Sequence, residues 1–172
     1  MLATNITRAG CVQADAARWQ KAPINALIEH LLENYHRPLE KDLDRLRMLA
    51  DRVFDVHGAK DPDRLRRLMV SLSGLEQALD AHLAKEEQIL FPWILSGRSP
   101  APAAPIQVMK MEHARIDEYL AELRELTGDY VAPAAACRTW RLLWEGLERL
   151  ERDLDAHTCL EDEVLFPRAL GS

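Results

Sequence analysis

The sequence predicts an all-α protein, folded as an up-down-up-down antiparallel four-helix bundle. Apolar residues recur at steps of three and four along four separate stretches, the period of an amphipathic helix. The breaks between these stretches are short, and short connections make consecutive long helices antiparallel neighbours. The chain carries only 7 glycines and few β-branched clusters, which argues against a sheet. Its 172 residues suffice for one domain with a sizeable core.

The first helix is expected from about Pro23, a favourable first helical residue, to His57-Gly58. Its stripe is Ile28, Leu32, His36, Leu39, Leu43, Leu46, Ala50 and Val53, and Pro38 suggests a local kink. Asp61-Pro62 opens the second helix, which reaches about Leu95 with the stripe Leu75, Leu79, His82, Glu86, Ile89, Trp93. Residues 97–105 form a Pro/Ala-rich connector. The third helix starts near Pro105, carries Ile106, Met109, His113, Ile116, Leu120 and Leu123, and stops at Gly128. Pro133 is expected to open the fourth, whose stripe is Leu143, Leu147, Leu150, Leu154, His157, Glu161, Leu165. Residues 1–22 read as a short leader, and residues 23–170 as the bundle domain.

The ends of the second and fourth helices repeat one motif, 75 positions apart. Asp80-Ala81-His82 is followed by Glu86 and then Leu90-Phe91-Pro92. Asp155-Ala156-His157 is followed by Glu161 and then Leu165-Phe166-Pro167. Positions i and i+4 share a helix face, so each copy presents an imidazole and a carboxylate together. Pro92 and Pro167 fall near helix ends, where a missing N–H costs less.

A single histidine on an apolar stripe is ordinarily a core residue bonded to a backbone carbonyl. Here His36, His82, Glu86, His113, His157 and Glu161 interrupt four converging stripes. Two carboxylates buried together without cations would be severely unfavourable, and a pair of dications removes that cost. His36 and His113 lie early in their helices and the two His–Glu pairs lie late. In an antiparallel bundle, early and late meet at one level, so all six groups can form most of a dinuclear metal site. Imidazole and carboxylate without convincing thiolates suit iron or manganese and also accommodate zinc.

The other candidates read differently. His57 lies 21 residues after His36, about 31 Å along a straight helix, and suits a helix C-terminus. His30 is a minor rival to His36, because Ile28-Glu29-His30 locally resembles Met111-Glu112-His113. Cys159 points off the ligand face and reads as structural, and Cys137 as buried packing. Trp140 and Trp144 read as core contacts. In the acidic run Glu161-Asp162-Glu163, all but Glu161 are expected at the surface.

Composition excludes several classes. Hydrophobic residues at 48% and charged residues at 29% are ordinary for a soluble globular protein. A formal charge of −6 leaves no basic footprint for nucleic acid. No run approaches the roughly 20 apolar residues of a membrane span. The first residues lack a secretory apolar segment. Cys11, Cys137 and Cys159, odd in number and without CxxC spacing, suit a reducing cytoplasm better than a disulfide scaffold.

Several stretches together resemble a known family: Ala22-Pro23 through Tyr35-His36, Lys85-Glu86-Glu87-Gln88-Ile89-Leu90-Phe91-Pro92, Pro105-Ile106 through Glu112-His113, Ala136-Cys137 with Trp140, and Asp155 through Leu170. From about Trp19 to Leu170 the chain resembles the hemerythrin-like domain of the repair-of-iron-centres (YtfE/ScdA/NorA) di-iron proteins. The resemblance implies a non-haem, oxo/carboxylate-bridged di-iron centre. Glu86 and Glu161 would bridge the irons, and His36, His82, His113 and His157 would be terminal ligands. His57 also matches a family histidine. Oxygen-carrying hemerythrins use more histidines, so four would leave the irons more open to added ligands. Repair-type members usually add an N-terminal paired-cysteine domain, for which this chain has only a short leader with Cys11.

The function so implied is that of a cytoplasmic protein of the nitrosative and oxidative stress response. It would bind nitric oxide, with reduction of that ligand or support of iron–sulfur cluster repair as its role. The implied partners are NO or O₂, iron–sulfur proteins and an electron donor, with no nucleic acid and no membrane. The alternatives are an O₂ or NO sink or sensor, an iron store or donor without turnover, and a structural bundle holding zinc or no metal.

Overall fold

The computed structural model describes residues 13–98, 101 and 103–171, all of its regular structure helical. Cys11 lies outside the described residues. In chain order the helices are α1 (Gln13–Lys21), α2 (Ile24–Leu31), α3 (Arg37–His57), α4 (Pro62–Lys85), α5 (Phe91–Leu95), α6 (Ala103–Thr127), α7 (Arg138–Leu160) and α8 (Phe166–Leu170). Three single π-helical turns, Leu32–His36, Glu86–Leu90 and Glu161–Leu165, join α2 to α3, α4 to α5 and α7 to α8. The four rods of the bundle are thus α2–α3, α4–α5, α6 and α7–α8. Helices α3, α4, α6 and α7 pack in a ring, each against its sequence neighbour, with α7 closing on α3.

The prolines explain the π-turns. A proline inside a helix lacks an N–H, and its ring collides with the carbonyl four residues earlier. Pro38, Pro92 and Pro167 each sit two residues beyond a π-turn, so the carbonyls at Asn34, Gln88 and Glu163 fall inside the widened turns. The helices therefore continue past these prolines, where the sequence suggested a kink or an end. Helix α6 has Arg115 two residues after His113 and runs without a π-turn.

Each π-turn adds one residue to the turn and rotates everything after it. Beyond Glu86 the buried face is accordingly Leu90, Phe91 and Ile94, while Ile89 is 62% exposed. The expected continuation through Ile89 and Trp93 fails for this reason. Before His36 the same shift brings Leu31 onto the buried face and leaves Leu32 only partly covered. The stripes expected on the third and fourth helices are buried throughout.

The ends of two helices also differ from expectation. Helix α6 begins at Ala103, two residues before Pro105. Helix α7 begins at Arg138, because residues 133–136 form a turn closed by Ala136 N–H donating to the Pro133 carbonyl (2.8 Å) and Cys137 is extended. Gly128, Asp129 and Tyr130 all have positive φ, which lets three residues reverse the chain after α6. Two close approaches tighten the bundle. A Cβ on Gly146 of α7 would stand 2.7 Å from Leu46 Cδ2, and one on Gly74 of α4 would meet the Tyr119 ring at 2.6 Å.

The apolar core falls into two clusters. The larger joins Leu39, Leu43, Leu75, Ile116, Trp144 and Leu154 with their neighbours on α3, α4, α6 and α7. The smaller gathers Leu27, Leu31, Leu90, Phe91, Ile106, Met109, Leu165 and Phe166 at the other end. Helix α1 packs on the smaller cluster through the buried Trp19. The Arg168 guanidinium donates to the Trp19 and Ala22 carbonyls (2.6 and 2.8 Å). These contacts tie α1 to the bundle. Among the described residues no helix is long and apolar enough to cross a membrane.

Trp144 anchors the larger cluster: it is 1% exposed, and its indole N–H donates to the Thr127 carbonyl (3.1 Å). Trp144→Ala should destabilise the fold by about 3–5 kcal/mol, read as a shift in the denaturant midpoint.

Candidate metal centre

Between the two apolar clusters lies a polar layer. His36, His82, Glu86, His113, His157 and Glu161 fill it, and none is more than 4% exposed. All six residues singled out in the sequence therefore meet at one level. Two of the π-turns begin on the glutamates and the third ends on His36, so these three side chains are aimed by the widened turns.

The ring nitrogens converge in two pairs. His36 Nε2 lies 3.0 Å from His157 Nε2, and His82 Nε2 lies 3.2 Å from His113 Nε2. The Glu86 Oε2 atom is 3.5 Å from His36 Nε2 and 3.6 Å from His82 Nε2. Glu161 reaches His157 through Oε1 (3.0 Å) and His113 through Oε2 (3.3 Å). The ligand atoms thus form two groups of four, His36–Glu86–His157–Glu161 and His82–Glu86–His113–Glu161, each within 4.8 Å and sharing both glutamates.

The outer ring nitrogens are held by carboxylates. His36 Nδ1 donates to Glu87 (2.9 Å), His82 Nδ1 to Glu112 (3.1 Å) and His113 Nδ1 to Asp162 (3.1 Å). A carboxylate only accepts, so the proton sits on Nδ1 and the Nε2 lone pair points inward. Lys85 pairs with the same Glu112 carboxylate. Aromatic rings complete the walls: Phe91 against His36, Phe166 stacked on His113 (5.8 Å, 14°) and Tyr35 stacked on His157 (5.5 Å, 11°).

This chemistry fits a cation pair. Both oxygens of Glu86 and Oε2 of Glu161 are buried without a hydrogen-bond partner among the described residues. Two imidazole lone pairs about 3.0 Å apart repel one another, yet this is the spacing of ligands about 2.1 Å from one ion at right angles. Protons respond in the same sense when no ion is present. Burial and the Glu161 charge push the Glu86 carboxyl well above the usual carboxylate range. Burial would raise Glu161 too, but His157 and His113 outweigh it and hold that carboxyl well below. Burial pushes His82 down to about 4 and also lowers His36, with His157 adding to the effect. For His113, burial is outweighed by Asp162 and Glu161, which raise it to about 9.

The remaining candidates lie elsewhere. His57 is the last residue of α3, with Nε2 3.3 Å from Cys137 Sγ and its ring against Trp140 (4.8 Å). Cys137 is exposed, not buried as expected, because it caps α7 from outside the helix. His30 stacks on Trp19 (4.6 Å) and contacts Tyr35 edge-on. Cys159 is buried, and Trp140 and Trp144 pack edge to face in the core (5.6 Å). Asp162 is buried against His113 and is not the surface residue expected of an acidic run. Glu87, Glu112, Asp162 and the two phenylalanines were not singled out by periodicity. The repeat held a signal for most of them: Glu87 and Asp162 each follow the buried glutamate, and Phe91 and Phe166 stand at matching places.

A layer of this composition inside a helical bundle defines a class, and comparison with known proteins gives the same one. Residues 27–169 match the family described as the hemerythrin HHE cation binding domain, and the chain belongs to that family. The chain is 40% identical over 152 residues to the iron-sulfur cluster repair protein YtfE of Yersinia pseudotuberculosis serotype IB (strain PB1/+), covering 88% of this chain and 68% of that one. It is also 40% identical over 153 residues to the protein of the same name from Edwardsiella ictaluri (strain 93-146), covering 89% and 69%. The family and the buried histidine–glutamate layer together identify a metal site suited to iron.

The raised His113 makes the metal-free protein sensitive to alkali. Its folded value of about 9 exceeds the ordinary 6.5, so its stabilising contribution is complete below pH 6.5 and lost as pH rises through 9. The melting temperature of metal-free protein should fall between pH 6.5 and 9. A flat profile over that interval would contradict this reading of the layer.

Proposed function

We propose that this chain holds two iron ions, one between His36 and His157 and the other between His82 and His113, with Glu86 and Glu161 bridging them. The observation that carries this reading is the pair of four-residue groups that share both glutamates. The protein would act in the nitrosative and oxidative stress response of the bacterial cytoplasm. It would bind nitric oxide or O₂ and support the repair of iron–sulfur clusters, the role named in its relatives. Iron–sulfur proteins and an electron donor are then its partners. The functional unit we assign is residues 23–170, with α1 packed on it.

A ferrous pair, when bound, supplies open positions for a diatomic ligand and two electrons from adjacent metals. The chain's own residues set the conditions. Four imidazoles and two carboxylates bring only two negative charges, which leaves net positive charge on two dications and favours anionic or electron-rich added ligands. Glu87, Glu112 and Asp162 hold three imidazoles in the tautomer that presents Nε2 inward. Phe91 and Phe166, 2% and 0% exposed, wall the layer against water on the side of the smaller cluster.

Elemental analysis of protein purified without added metal should give about two irons per chain, and the reduced form should titrate with nitric oxide. Glu86→Ala and Glu161→Ala should each lose iron and nitric oxide binding together. Retention of both by either variant would overturn the bridging roles. Steady-state nitric oxide consumption with an electron donor would measure turnover, and labelled-iron transfer to an apo iron–sulfur protein would measure donation.

A further inference from the structure

The internal repeat relates His36 to His113, His82 to His157, Glu86 to Glu161 and Glu87 to Asp162. Among the carboxylates behind these ligands it breaks at one pair. The residue before His113 is Glu112, which accepts from His82 Nδ1 and is fixed by Lys85. The residue before His36 is Tyr35, whose ring lies flat against His157. Among the described residues no carboxylate reaches His157 Nδ1 within hydrogen-bonding distance. One pair of histidines therefore has a carboxylate behind each imidazole, and the other pair has a carboxylate behind one.

We propose that the two metal positions are inequivalent, with the His82–His113 position retaining its ion and the His36–His157 position exchanging it. The proposal rests on the dinuclear reading above. A carboxylate behind a ligating imidazole fixes its orientation and raises its basicity, and removing one typically costs about 10–100-fold in metal affinity. Lys85 draws some charge from Glu112 but locks its position. The supporting groups also differ in burial: the Asp162 side chain is 7% exposed and the Glu87 side chain 46%. A surface groove of about 540 Å³ borders His36 and is lined by Glu40, Asp80 and Glu87, with no lysine or arginine in its walls. The exchanging position thus has an acidic approach for a divalent cation. His36 also ends a π-turn, whereas His113 sits in the continuous α6. Turns of this kind are common at functional sites.

The test is anaerobic iron(II) titration of the full metal-free chain against a chromophoric chelator, with circular dichroism to check folding. The wild-type protein should take up two ions with dissociation constants at least about 10-fold apart. Glu112→Gln should weaken the tighter constant by about 10–100-fold and leave the weaker one unchanged. Tyr35→Glu, which offers His157 the missing acceptor, should tighten the weaker constant. His157→Gln should keep one ion at the tighter constant, and His113→Gln one ion at the weaker. Two equal constants in the wild type, equal weakening of both by Glu112→Gln, or the weaker constant surviving in His157→Gln would overturn the proposal while leaving the dinuclear reading intact. Uptake of fewer than two ions by the wild type would overturn both.

Discussion

Two carboxylates buried at the centre of a helical bundle are the constraint on which the rest of this structure depends. Glu86 and Glu161 are both fully shielded from water, and their charges repel at short range. Protein groups balance them only in part: His157 and His113 hold Glu161 low, while burial drives His36 and His82 toward neutrality and Glu86 upward. The layer accepts that cost because the helices fix it from both sides. Three widened turns aim its side chains, and an apolar cluster closes each face. Remove the demand for cation binding, and an apolar residue at either glutamate would make a more stable bundle.

Much of this was legible in the sequence, and the reasons are specific. The steps of three and four along the third and fourth helices run straight through to buried leucines, so periodicity located those faces. The six polar interruptions were visible because apolar stripes tolerate none without a partner. Their common level followed from antiparallel topology alone. Periodicity failed where the helical repeat itself changes. Beyond Glu86 the inserted residue turns Ile89 outward and Leu90 inward, and a constant angle per residue cannot anticipate that. The prolines that signal the change were in plain view, but a proline read as a helix end conceals a helix that widens and continues.

The supporting residues were harder to read for a different reason. Glu87, Glu112 and Asp162 sit beside ligand positions, on faces where acidic residues are ordinarily solvated. Only the partner across the bundle reveals their task, and helical spacing carries no information about partners on other helices. The start of α7 was missed because Pro133 can open a helix or a turn, and only the extended Cys137 decides between them.

The division of the core has a consequence for how the molecule comes apart. Among the described residues the larger and smaller apolar clusters are separate, with the polar layer between them. Side-chain cooperativity between the two ends then passes through a layer that holds the unpartnered Glu86 carboxylate beside Glu161 when no cation is bound. Without the cation, the two ends are expected to open separately. The smaller unit is built from helix ends, short helices and α1, and buries fewer apolar side chains than the larger. Amide exchange in the metal-free protein would then begin there, at the edge of the binding layer, while the distal half stays protected. Occupancy of the centre is in this way written into the local stability of one end of the bundle, and a protease or a partner protein could read it without touching the ligands.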